Sequence, residues 1–330
     1  MATLYKYIIA LCLLIFSNSL ITKAQVADRP DKDRPTEVEV TLIILDIDEI
    51  SDADQSFVAN FFSIATWKDP RLAHDKGDLI KMPLDSIWHP TFQLVNQQKV
   101  WRTFSEVATV TQDGTVMLRQ RVWGNFSQPL ALQDFPLDIQ TFTISIVSVG
   151  NQKEDVKIKV NPQSSVTRKP SVAGWKILSD TVDFTPVRLT EEVQTALTLN
   201  QRFKAKRSIG FYVYNVILPL VMIVIMSWIV FWIPPSDLGT RVGISITSML
   251  TVIAYRFMVH SSLPTISYLT RIDYLINEAT IIIFCTLLIN LIANLMWKKK
   301  QESYKNGVDL IARILFPLML TGILVKFFSV

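Results

Sequence analysis

Gly243, Thr247, Leu250, Ala254, Phe257 and Ser261 recur at alternating steps of four and three, which places them on one face of a helix. The stripe starts small and hydroxylated near Thr240 and becomes bulky at Leu250 and Phe257. Ile244, Ile246, Met249, Val252 and Ile253 fall on other faces. The chemistry of such a stripe is hydration rather than bond making. Lipid has no use for hydroxyls and glycine at regular spacing, whereas a water-filled path does. One helix cannot enclose a path, but several copies about a symmetry axis can. A ring of Leu250 would then form an apolar constriction that closes by dewetting. The alternative is a packing stripe, because small residues also let membrane helices approach closely.

Groups for other chemistry are scarce. The chain has three histidines and two cysteines, Cys12 and Cys285. No Ser-His-Asp spacing, phosphate loop or Cys–His cluster is present, so neither an enzyme nor a cofactor or metal site is indicated. A net charge of +4 is too small to imply a nucleic-acid partner.

The elements that must carry the stripe follow from composition. With 330 residues, 49% of them hydrophobic, and a mean hydropathy of +0.30, the chain is too apolar to be wholly soluble. Residues 1–24 read as a secretory signal, with Lys6, an apolar centre from Ile8 to Phe16, and a cleavage site at Thr22-Lys23-Ala24. Residues 25–206 then fold outside the cytoplasm, after a charged leader from Asp28 to Pro35. Alternation in Glu37–Ile44, Thr115–Val122, Thr141–Val147 and Val156–Val160 predicts short strands, and Asp113-Gly114 predicts a hairpin turn. The expected fold is an all-β, immunoglobulin-like antiparallel sandwich. Residues 207–330 hold four spans, at about 209–233, 240–260, 273–297 and 308–328. Lys298-Lys-Lys300 and Lys305 lie in the link between the third and fourth, which is inside by the positive-inside rule; the C-terminus ends outside.

These residues together resemble the pentameric ligand-gated ion channels, the Cys-loop receptor superfamily, and its prokaryotic branch most closely. The outer-domain match includes Trp67-Lys-Asp69-Pro-Arg71-Leu72, Trp88-His-Pro90 with Asn96, and Phe135-Pro136-Leu137-Asp138 with Gln140. The membrane match includes Arg207, Asn215, Pro219, Ser227-Trp228, Phe231-Trp232, Arg241-Val242, Leu250-Thr251, Leu263-Pro264 and Phe316-Pro317. The resemblance implies a homopentamer in a plasma (bacterial inner) membrane, in contact with lipid, with the second span of each subunit lining a path for inorganic ions. The paired cysteines of the superfamily would fall at Gln128 and Phe142, so that loop is not bridged here.

The resemblance also assigns roles. Asp52, Pro136, Asp138, Arg207 and Pro264 would couple the outer domain to the pore, with both carboxylates facing Arg207. Asp46, Asp48 and Asp54 rival Asp52 for its place. Agonist would bind between subunits, and the matching candidates are Phe62, Arg119, Val149, Asp183, Phe184 and Glu191. They supply few aromatic rings, so an aromatic cage for an amine is not expected. An acidic or zwitterionic small molecule, or protons sensed by carboxylates and His260, fits better. Thr240 before Arg241 and Asp237 in the preceding turn leave the sign of the permeant ion open. A non-conducting receptor of the same architecture is the alternative function.

Overall fold

The computed structural model describes residues 28–149, 155–167, 169–187, 196–261, 266–298 and 302–329. The expected signal, residues 1–24, lies outside the described residues. Alternation builds the outer domain. On β1 (Thr36–Ser51), Val38, Val40, Leu42 and Ile44 are buried while Glu37 and Glu39 face out. β1 pairs with β2 (Ser56–Lys68), and β2 pairs with β7 (Thr115–Ser127). β5 (Gln97–Arg102) and β6 (Val107–Val110) both pair with β7, and β3 (Ile80–Pro83) extends β6. The second sheet runs β11 (Trp175–Val187), β12 (Ala196–Arg207), β8 (Ile139–Val149) and β4 (Thr91–Leu94). A hub of rings joins the two sheets: Phe57 lies 5.5 Å from Phe126, 5.3 Å from Phe142 and 5.8 Å from Phe203.

One expectation is corrected. The sandwich is not purely antiparallel, because β9 (Val156–Val160) and β10 (Ser165–Val166) pair parallel to β1. The chain leaves β8 in one sheet and returns to the edge of the other, and such a crossover permits parallel pairing. The Asp113-Gly114 turn stands between β6 and β7 as the sequence indicates. Gly114 is required there twice: its φ is +81°, and a Cβ would meet the Asp69 carbonyl oxygen at 2.5 Å.

Four helices long and apolar enough to cross a membrane follow: α1 (Gly210–Trp232), α2 (Leu238–His260), α3 (Arg271–Lys298) and α4 (Glu302–Phe328). α1 widens into a π turn at Val213–Ile217, just before Pro219. Proline has no N–H and its ring crowds the preceding turn, which accounts for the irregularity. The Tyr255 hydroxyl of α2 donates to the Val216 carbonyl within that segment, at 2.6 Å. α3 buries Asp273, Thr286, Asn290 and Asn294 while Ile281, Leu291 and Leu295 face out. Its polar groups point into the bundle, as membrane-spanning helices require.

Candidate functional site

Where the sandwich meets the helices, Arg207 ends β12 with its side chain 4% exposed. Its Nε and Nη2 donate to Asp138 at 2.8 and 3.1 Å. Its Nη1 and Nη2 donate to Asp52 at 2.7 and 2.8 Å, and Nη1 reaches the Tyr212 hydroxyl at 3.2 Å. The guanidinium also lies 4.2 Å from the Trp175 ring centre and 4.7 Å from that of Phe135. Burial works against its charge, but the hydrogen bonds it donates to the two carboxylates, with their negative charge, outweigh burial and raise its pKa. The rivals of Asp52 are engaged elsewhere: Asp46 with Ser171, Asp48 with Trp123, and Asp54 with Ser51. Pro136 is buried beside Phe135 and Asp138; Pro264 lies outside the described residues.

The loop between β7 and β8 is braced without cysteines. Gln55 Oε1 accepts from Leu130 N, Gln128 Oε1 accepts from Thr143 N, and Gln140 closes on Ala131 through both amide atoms. Phe142, fully buried, stacks 5.2 Å from Phe203. The loop rests on the segment that enters α3: Tyr268 Oη accepts from Leu132 N at 3.1 Å, and Arg271 Nε donates to Asp134 at 2.8 Å. Tyr268 and Arg271 are contacts that sequence reading missed.

α2 has two opposed stripes. Arg241, Ser245, Ser248, Val252, Tyr255 and Val259 are buried against the subunit's other helices. Thr240, Gly243, Thr247, Leu250, Ala254, Phe257 and Ser261 are all exposed in the single subunit, Leu250 at 62% and Phe257 at 72%. Hydroxyls occupy both faces, because Ser245 and Ser248 donate to the carbonyls four residues back. Regular hydroxyls therefore do not by themselves mark a wet face. Asp237 caps α2 by accepting from Thr240 N at 3.2 Å, and hydrogen bonds from Thr240 hold its carboxyl below the usual range.

Arg241 is 0% exposed. It donates to Asp309 Oδ2 at 2.7 Å and Oδ1 at 3.1 Å, to the Ile233 carbonyl at 2.8 Å, and to Asn290 Oδ1 at 3.4 Å. Nothing in the local sequence pairs it with a residue of α4.

The agonist candidates divide between the two sheets. Phe62, half-buried on β2, has Phe104 at 5.9 Å and the Arg121 guanidinium at 5.8 Å. Arg121 stands opposite Phe62 and Arg119 opposite Ile64, so both share its outward face. Trp101 and Trp123 continue that face as an exposed pair 4.7 Å apart, and neither belongs to a motif that the sequence singles out. Alternation along β7 from Arg119 to Trp123 is the signal that would have found it. On the other sheet, Asp183 bonds Asn200 and pairs with Arg202. Phe184 follows it on the same strand and points to the opposite face, so these two do not converge. Val149 ends β8 opposite Thr91. Glu191 lies outside the described residues.

A family model for the neurotransmitter-gated ion-channel ligand binding domain matches residues 16–214, and one for the transmembrane region of the same channels matches residues 216–321. The chain belongs to the neurotransmitter-gated, or Cys-loop, ion-channel family. It is a membrane protein with an extracellular N-terminal β-sandwich and four apolar helices, a receptor of the ligand-gated channel class and not an enzyme. Pentameric assembly is what this family implies. The loop between β7 and β8, braced by Gln55, Gln128 and Gln140, holds no cysteine.

Proposed function

We propose that five copies of this chain form a channel for inorganic ions in a bacterial inner membrane, lined by α2 and closed by a ring of Leu250. The observation that carries this reading is the division of α2. One stripe is spent on intrasubunit packing, and the opposite stripe, from Thr240 to Ser261, is left open in the single subunit. Large apolar side chains such as Leu250 and Phe257 need cover, and symmetry-related copies supply it around an axis. Asp52, Asp138 and Arg207, with Pro136 and Pro264, transmit agonist binding to α2.

The agonist is an acidic or zwitterionic small molecule held between subunits. Phe62, Arg119 and Arg121 of one subunit meet Val149, Asp183 and Glu191 of its neighbour, while Phe184, on the opposite face of β11, stands apart from that group. Acid is the second trigger to test, because His260 is exposed at the outer end of α2. Three carboxylates are poor acid sensors. Hydrogen bonds from Lys68, Thr111 and Thr115 hold Asp113 low. Burial raises Asp46, but hydrogen bonds from Ser171 and Ile47 outweigh it and leave it low. Asp237 is held low by Thr240. All three stay ionised near neutral pH.

The test is current from membranes carrying this chain alone, under steps of external pH and then amino acids. Evoked current in wild type, with spontaneous opening in Leu250→Ala, is the expected result. Silence in both, with pentamers shown at the surface, would favour a non-conducting receptor.

A further inference from the structure

Arg241 lies in the first turn of α2, at the cytoplasmic end of the helix. Five copies would place five guanidinium charges around the inner mouth. Each is fully buried and directed away from the open stripe, into a joint with α3 and α4. Among the described residues, Asp309 is the only carboxylate in ion-pair reach of it. Asp237, one turn earlier, is exposed and spends an oxygen on the Thr240 amide. Asn290 accepts weakly from Arg241 and donates to Ser245 Oγ at 3.0 Å, which completes the joint without adding charge. Arg313, the next cation along α4, donates to the Phe231 carbonyl at 2.9 Å and lies 5.2 Å from the Trp232 ring centre. The charge at the base of α2 is thus cancelled by α4, a helix whose Ile311, Ile314 and Leu318 face away from the bundle.

We infer that Asp309 is a selectivity-determining residue: by neutralising and anchoring Arg241, it keeps five positive charges out of the field at the inner mouth of the pore. A charge in this low-dielectric joint is poorly screened, so an unpaired one is felt by ions passing the inner mouth. The pair is electrically silent; either member alone is not. The inference rests on the proposed reading of α2 as the pore lining.

Reversal potentials in diluted sodium chloride test it, measured on evoked current or on the open current of a Leu250→Ala background. Asp309→Asn leaves one unbalanced cation per subunit and lowers the cation-to-anion permeability ratio by roughly threefold or more. Arg241→Gln combined with Asp309→Asn removes both charges and returns the wild-type ratio. Asn290→Asp adds a second carboxylate beside Arg241 and raises the ratio. A conducting Asp309→Asn channel with an unmoved reversal potential overturns the inference. Should that variant fail to assemble, Asn290→Asp decides alone, and an unmoved potential there overturns it equally. Absence of current in every variant, Leu250→Ala included, would remove the pore reading and this inference with it; current with unmoved potentials would remove this inference only.

Discussion

Two buried arginines mark the ends of the membrane half, and they are balanced differently. Arg207 faces two carboxylates, Asp52 and Asp138, brought by loops of the outer domain. Its cluster carries a net negative charge and is ringed by Phe135, Trp175 and Tyr212. Among the described residues, Arg241 faces one carboxylate and two neutral acceptors, the Ile233 carbonyl just after α1 and Asn290 of α3. A pair with no charge left over can be replaced by apolar packing at little cost, whereas a triad cannot lose its cation without stranding two anions. The outer cluster is therefore suited to hold one arrangement of a movable interface, and the inner one to fix a joint.

The largest effect expected from this contrast is in Arg207→Ala. It strands Asp138, whose side chain is 2% exposed, together with Asp52. Breaking such a cluster costs about 3–5 kcal/mol, and evoked current should vanish while the open current of Leu250→Ala persists. Wild-type gating in Arg207→Ala would erase the distinction between the two ends. Next comes Arg241→Met with Asp309→Leu. Pentamers should assemble with thermal stability within about 2 kcal/mol of wild type and remain gated; collapse of assembly would show that the inner joint is not interchangeable with packing. Tyr255→Phe removes one hydroxyl bond to α1, at a cost of about 1 kcal/mol, read as a small drop in the pentamer's melting temperature. The smallest effect is Asp113→Asn, remote from both arginines. The Asp113 carboxyl is depressed in the fold, so its stabilising contribution is complete above the unfolded value of about 3.9 and is lost as pH falls below it. The variant should flatten only that acid limb in a melting-temperature series, with gating unchanged.

What could be read from the chain divides along the same line. The Arg207 cluster was accessible because its members sit in motifs of recognisable order. Even so, Asp46, Asp48 and Asp54 stayed rivals of Asp52, because spacing alone does not say which carboxylate the β1–β2 turn points at Arg207. Asp309 was invisible: it lies two turns into a helix far along the chain, and nothing near it in sequence points to Arg241 of α2. The open stripe of α2 was found from spacing, but not for the reason of its hydroxyls, since Ser245 and Ser248 share that spacing on the buried face. The parallel return of β9 and β10 has no local signature, because register across a sandwich is set by tertiary packing. Asp183 and Phe184 were both named as candidates for one site, but neighbours on a strand face opposite ways.

β2 runs without interruption from Ser56, beside the turn that carries Asp52, to Lys68. Phe62 lies midway along it, about 20 Å of strand from Ser56. Hydrogen-bonded on both edges, to β1 and β7, the strand is stiff along its length. β1 beside it is interrupted by register shifts between Ile44 and Asp46 and between Ile47 and Glu49, and bulges bend and twist a strand where they occur. The outer domain thus has the mechanics of a rod laid against a hinged strip. Were agonist to push at Phe62, as proposed, the displacement would travel down the rod toward the Asp52 turn, and the bulged strip beside it would be the part that bends.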